Sequence, residues 1–244
     1  MIQVRDYVLI FEPIWSLTER AYVRVCKIDK LDSRKPTHTT LPDHDRYSCD
    51  FAVACFNGEK VFLIGGHDRS YIKQKAVSSY DIQQQKWYDA PDLQEARAKS
   101  SSLCLDGTIY VFGGEDMFGD EGIKTIESFK VDVDQQWSII GKHELVDRFA
   151  TASTAISKNT IAVFGGNKRG GYLFNVATKE IKPMDGELDI EFYSCQEAHQ
   201  VSKQRFIAVG IIDFDDSHVK KIELFMNKSA TYFKTRFIAD YDNP

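Results

Sequence analysis

Chemistry needs ionisable side chains held close together, and this 244-residue chain offers few candidates. Glu197 and His199 stand two apart in a strand-like stretch, so they share a face. A carboxylate beside an imidazole could serve as an acid–base pair. A single His on a strand is more often structural, and no catalytic set is expected. Asp213-Phe214-Asp215-Asp216-Ser217-His218 gathers oxygen and nitrogen donors. It lacks the glycine and distal glutamate of a calcium loop, and reads as an exposed acidic loop. His38 and His44 lie in Thr37–His44, which reads as a connector, and zinc there would need ligands from elsewhere. No metal and no cofactor are expected. The pairs Gly65-Gly66, Gly113-Gly114 and Gly165-Gly166 lack the further glycine and lysine of a phosphate-binding loop. Loops and strands follow them, not helices. Cys26, Cys49, Cys55, Cys104 and Cys195 form no Cys-x-x-Cys pair. Their odd number and scattered places predict reduced, buried thiols in a cytosolic setting.

The elements that position these residues come from a repeat. Val61-Phe-Leu-Ile-Gly65-Gly66, Ile109-Tyr-Val-Phe-Gly113-Gly114 and Ile161-Ala-Val-Phe-Gly165-Gly166 place their first glycines 48 and 52 residues apart. A period near fifty with one glycine pair per unit means stacked copies of one small sheet. After each pair comes a polar loop, a strand with an aromatic, a turn and a last strand led by a large apolar residue. The aromatic pairs are Tyr80 with Trp87 and Phe129 with Trp137. Asn57-Gly58 and Asp106-Gly107 favour two-residue hairpin turns, which need positive φ at both positions. In the third unit, four strands are expected at Ser100–Leu105, Thr108–Phe112, Thr125–Val131 and Gln136–Ile140. First strands are rich in small residues (Ala52, Ala54; Ser100, Ser101, Ser102; Ala150, Ala152, Ala155), which suits a crowded centre. The aromatics suit the wider space between neighbouring sheets.

The diglycine, the Tyr…Trp pair, and an Arg sixteen or seventeen residues before the first glycine (Arg97, Arg148) resemble the kelch repeat. The likeness is strongest over residues 47–182. Fainter copies follow at Arg205–Ile212 and precede it at Tyr7–Glu12, where Phe11-Glu12 and Ile211-Ile212 replace the glycines. The resemblance implies an all-β propeller of about five four-stranded blades, at 1–46, 47–96, 97–147, 148–193 and 194–244, in a single domain over 1–244. By this register the first unit lacks almost all of its first strand. The acidic remainder Ile238–Pro244 reads as a poor replacement, so closure of the ring is left open: five blades alone, completion by another chain, or part of a longer protein.

Other bounds agree. No stretch is long and apolar enough to cross a bilayer as a helix, and Met1–Asp6 does not read as a signal peptide. Asn227-Lys228-Ser229 fits a glycosylation acceptor only by chance if the chain is not secreted. A net charge of −5 argues against a general nucleic-acid partner.

Function in such a fold gathers on loops. The loops from second to third strand are expected at Glu12–Glu19, His67–Lys75, Glu115–Lys124, Asn167–Gly171 and Asp213–Lys220. They carry mixed charge, and four of the five add a large aromatic (Trp15, Tyr71, Phe118 and Phe214), which suits a protein-binding rim. The candidate contact residues are Trp15, His67, Arg69, Tyr71, Asp116, Phe118, Asp120, Lys168, Arg169, Phe214 and Asp215. The resemblance implies a non-catalytic scaffold binding other proteins in a larger complex, cytoplasmic and of assembly, cytoskeletal or ciliary type. One alternative is a substrate-recognition subunit of a ubiquitin ligase with its adaptor on another chain. A second is an enzyme using Glu197 and His199 in the central channel. Kelch enzymes include copper oxidases, sugar epimerases and iron-dependent specifier proteins, but neither the oxidase Tyr/Cys/His set nor the specifier Glu-x-x-x-Asp-x-x-x-His spacing is found here.

Overall fold

The computed structural model describes residues 2–4, 7–14, 22–29, 37–44, 49–115, 122–143, 151–165, 171–184, 194–202, 205–211, 218–226 and 233–242. Among them every regular element is a strand. Five antiparallel sheets of four strands follow one another along the chain, each with its strands in sequence order. The first contains β1 (Ile2–Val4), β2 (Tyr7–Ile14), β3 (Tyr22–Asp29) and β4 (Thr37–His44). The second contains β5 (Ala52–Phe56), β6 (Lys60–Ile64), β7 (Val77–Asp81) and β8 (Lys86–Ala90). The third contains β9 (Ser101–Leu105), β10 (Thr108–Phe112), β11 (Thr125–Lys130) and β12 (Ser138–Lys142). The fourth contains β13 (Thr151–Ser157), β14 (Thr160–Gly165), β15 (Gly171–Asn175) and β16 (Ile181–Met184). The fifth contains β17 (Ser194–Ser202), β18 (Arg205–Ile211), β19 (His218–Met226) and β20 (Phe233–Asp242). First strands of consecutive sheets lie against each other: β1 on β5, β5 on β9, β9 on β13 and β13 on β17. Among the described residues, β17 and β1 make no contact of that extent.

This is the packing that the apolar runs require. Successive side chains of a strand point to opposite faces. In β6, Phe62 and Ile64 join Ile109, Val111 and Trp137 of the next sheet, whereas Val61 and Leu63 join Val23 of the preceding one. In β10, Tyr110 and Phe112 pack on Ile161, Val163 and Phe174. β6 and β10 are thus covered on both faces, Ile109 and Val111 facing back to the second sheet, and the runs Val61–Ile64 and Ile109–Phe112 are continuously apolar instead of alternating. Small residues on the inner strands, such as Ala52 and Ala54, are buried in the same layer.

The glycine pairs mark a close approach. Gly113 and Gly114 have φ of 61° and 102°. A Cβ on Gly114 would lie 2.7 Å from the Ala98 carbonyl oxygen, so only glycine fits without displacing that backbone. Asn57 and Asp106 have φ of 49° each, followed by Gly58 and Gly107 at 69° and 75°, as their hairpin turns demand.

The aromatic pairs staple neighbours. Tyr80 and Trp87 lie 5.0 Å apart and Phe129 and Trp137 5.3 Å apart, ring centre to ring centre. The Trp87 indole N–H donates to the Pro42 carbonyl at 3.0 Å, and that of Trp137 to the Pro91 carbonyl at 2.8 Å. Each indole therefore bonds to the end of the preceding repeat.

Arg97 is a second staple. It is fully buried, and its guanidinium donates to the carbonyls of Gly113 (3.0 Å) and Thr125 (3.2 Å) and to Glu127 (2.7 Å). Glu127, also fully buried, accepts the backbone N–H groups of Gln94 and Glu95. Burial lowers the Arg97 pKa, and Glu127 opposes that fall.

Several expectations need correction. Thr37–His44 is not a connector but β4, paired to β3 alone. An outermost strand tolerates Pro42 because one edge has no ladder to satisfy. Residues Ile238–Asp242 are the end of β20, with Val219 opposite Tyr241, so they complete an outer strand. The first sheet does have four strands, though β1 has only three residues. β2 extends to Ile14 and β19 begins at His218, which shortens the loops expected at Glu12–Glu19 and Asp213–Lys220. β12 begins two residues late, at Ser138, with a register shift between Ile126 and Glu127. Cys49, Cys55 and Cys104 are free thiols, but half-buried, not buried.

Candidate functional site

The loop from β6 to β7 carries the most developed surface among the described residues. Asp68 organises it. Its carboxylate accepts the backbone N–H groups of Ser70 (2.8 Å) and Ile72 (2.9 Å) and the Gln74 side-chain amide (3.1 Å). The Asp68 backbone exchanges bonds with Tyr71 and Ile72, and Gln74 N–H donates to the Gly66 carbonyl. A carboxylate satisfied this way closes a small, stiff turn. At its tip Tyr71 is 69% exposed and Ile72 54%. Tyr71 has φ of 58°, a conformation that costs a bulky L-residue roughly 1–3 kcal/mol. The turn thus holds two large apolar side chains in water instead of folding them inward. Arg69 and Lys75 on the same loop are exposed as well.

Behind the tip lies a polar cluster built by the repeat. His67 and Glu115 each follow a glycine pair, and Asp50 and Lys99 each precede a first strand. The Lys99 N–H donates to the Asp50 carbonyl (2.8 Å), joining the two repeats. Glu115 gathers cations: its carboxylate lies 3.0 Å from the Lys99 ammonium, 3.7 Å from that of Lys73 and 4.0 Å from His67 Nε2. On the other side, His67 Nδ1 lies 3.2 Å from Asp50 Oδ2. Burial pulls the His67 pKa down, but the Asp50 hydrogen bond and the Cys49 sulfur outweigh it and raise the value to about 9. His67 is thus a cation at neutral pH, lying between two carboxylates from different repeats. The ring of Tyr71 stands 6.3 Å from that of His67, so the exposed tip and the charged cluster form one surface.

Of the expected contact residues, His67, Arg69 and Tyr71 lie together here. Trp15, Asp116, Phe118, Asp120, Lys168, Arg169, Phe214 and Asp215 lie outside the described residues, as does Gly166. Glu197 and His199 sit in β17, opposite Val209 and Ile207. Ile72, Lys73 and Glu115 fall within the loops expected at His67–Lys75 and Glu115–Lys124, whereas sequence reading missed Cys49, Asp50 and Lys99 as members of this surface. The position after the glycine pair was a partial signal, since it carries a titratable side chain in two of the three copies, His67 and Glu115, and Asn167 in the third.

Comparison with known proteins agrees with this geometry. Residues 48–94 match the family model described as Kelch motif. The chain is 28% identical over 143 residues to Kelch repeat protein M-T8 of Myxoma virus, covering 59% of this chain and 26% of that protein. It is 29% identical over 150 residues to Beta-scruin of Limulus polyphemus (58% and 15%). It is 31% identical over 80 residues to an F-box/kelch-repeat protein of Arabidopsis thaliana (33% and 18%). The chain therefore spans about a quarter or less of the length of these relatives. Among solved structures, one titled "Structure of YjhT" superposes with a TM-score of 0.64 at 13% identity, over 90% of this chain and 77% of that one. At that identity the likeness speaks for the fold alone.

Proposed function

We propose that this chain, a kelch-repeat protein with the sheets of a β-propeller, is a non-catalytic scaffold that binds other proteins through the rim carrying the β6–β7 loop. One observation carries the reading: Tyr71 and Ile72 are held exposed on a turn that Asp68 fixes, with Tyr71 in a costly backbone conformation. Strain kept in place by surrounding bonds is a mark of functional positions. A rigid aromatic beside an aliphatic residue, rimmed by charge, is the composition of a binding hot spot. Preorganisation also lowers the ordering cost of association. The finer proposal is an assembly role in a cytoskeletal or ciliary complex. A second reading is substrate recognition for a ubiquitin ligase. It is favoured by relatives whose names carry an F-box or a BTB domain, and it would place the adaptor outside this chain.

The test is affinity capture with three variants. Tyr71→Asn accepts positive φ, so it removes the ring without unfolding the turn, and its stability should stay within about 1 kcal/mol of the parent. Ile72→Ser removes the second apolar group. Val133→Ser, at a position 61% exposed in the turn after β11, is the control. Partners should be lost from the first two and kept by the third. Retention of every partner by a Tyr71→Asn/Ile72→Ser double variant would overturn the reading.

A further inference from the structure

We infer that Cys49, Asp50 and His67 form a three-ligand site for a zinc-class divalent cation, with Glu115 orienting the histidine. The donor atoms of the three residues all lie within 4.8 Å of one another. They bring one thiolate, one carboxylate and one imidazole, the set that zinc takes. A tetrahedral ion sets its ligands about 3.3–3.8 Å apart, so the three donors need to close by only about 1 Å.

The convergence is built into the backbone. Cys49 and His67 exchange both main-chain hydrogen bonds, N–H to carbonyl at 3.1 Å and 2.8 Å. They are therefore a directly opposed antiparallel pair, whose side chains stand on one face. Asp50, the next residue along, would normally point to the other face. Its φ of 54° turns the chain, and its carboxylate comes to 3.2 Å from His67 Nδ1. The Lys99 N–H holds that turn through the Asp50 carbonyl.

The outer sphere fits as well. With the ion on Nδ1, the proton of His67 belongs on Nε2, where Glu115 Oε2 lies 4.0 Å away. A carboxylate on the second nitrogen fixes the tautomer and orientation of a ligating imidazole. Lys73 and Lys99 hold Glu115 in turn. On binding, the cation replaces the Nδ1 proton and the Cys49 thiol proton, and both leave to solvent. The Asp50 side chain is 38% exposed, so the fourth corner of the ion faces water and is open to an oxygen or nitrogen donor. The site lies beside Tyr71 but does not depend on the scaffold reading.

Cobalt(II) titration of the purified, metal-free chain tests this, followed by competition with zinc. One equivalent should bind with tetrahedral visible bands and a thiolate-to-cobalt charge-transfer band. Cys49→Ser should abolish the charge-transfer band, while Cys104→Ser leaves it. Asp50→Asn and His67→Gln should each weaken zinc binding at least tenfold. Glu115→Gln changes no ligand, so it should keep the spectrum and weaken zinc about 10–100-fold. Circular dichroism of each metal-free variant reports folding independently of the metal. A charge-transfer band that survives Cys49→Ser, or its absence from the folded parent chain, overturns the site. Unchanged zinc affinity in Glu115→Gln overturns the role of Glu115.

Discussion

Replacing Gly114 and Gly107 by alanine separates two demands that both fall on glycine. Both residues have positive φ, 102° and 75°, and each alanine suffers backbone strain of roughly 1–2 kcal/mol. Each also gains about 0.4–1 kcal/mol, because alanine lowers the entropy of the unfolded chain. Their surroundings differ. A Cβ on Gly107 meets only the Phe56 ring edge, at 3.8 Å, which is ordinary contact. Gly107→Ala should therefore cost about 1 kcal/mol. A Cβ on Gly114 meets the Ala98 carbonyl oxygen at 2.7 Å, the Ser100 Cβ at 3.2 Å and the Arg97 Cβ at 3.3 Å. No single shift relieves all three contacts. The carbonyl that must retreat accepts the Glu115 N–H at 2.9 Å, so a hydrogen bond worth about 1 kcal/mol is at risk. Overpacking adds about 1–3 kcal/mol more. Gly114→Ala should then cost about 3–4 kcal/mol in all. Urea unfolding at unchanged slope should place its midpoint about 1 M below that of Gly107→Ala, for a slope near 2 kcal/mol/M. Two variants within about 0.5 kcal/mol of each other would show that close approach does not explain the glycine pair. Positive φ would then be the whole of its role.

Glu127→Leu leaves the Arg97 guanidinium buried without its closest anion, and should cost about 3–5 kcal/mol by urea unfolding. Arg97→Met/Glu127→Leu removes both charges, so it should be more stable than the single variant; the reverse order would refute the view that the pair is a liability once split. Burial pushes the Cys104 thiol up to about 11 and raises Cys55 as well. Alkylation of Cys104 in the native protein, followed by peptide mass mapping, should rise with pH around 11, not around the ordinary 9.0. Since the folded value lies above the unfolded one, this thiol favours the fold below pH 9 and loses that contribution as pH climbs toward 11. A native labelling midpoint near 9 would contradict the burial argument.

What could be read in the sequence was whatever depends on neighbours along the chain. Asp106-Gly107 dictates a tight turn through its own φ preferences, and Ile109–Phe112 declares a strand covered on both faces by its composition. The Tyr80 and Trp87 pair is local as well, since one hairpin brings the rings together. The cluster at His67 is of another kind. Cys49 and His67 meet through register, and Asp50 joins them only because its own φ is positive. Neither fact is written in residue types, so Cys49 reads as one scattered thiol among five. Glu115 comes from the next repeat and reaches His67 only when two sheets pack. The same holds for β4: Thr37–His44 is polar and contains proline, which argues for a connector until Trp87 is seen to cover it. His44 stacks on that indole at 4.3 Å, and the Pro42 carbonyl accepts its N–H. Yet a periodic trace of that contact does exist, since Trp87 follows Pro42 by 45 residues and Trp137 follows Pro91 by 46. Contacts between repeats thus become legible when pairs of residues, and not single motifs, are examined for the period.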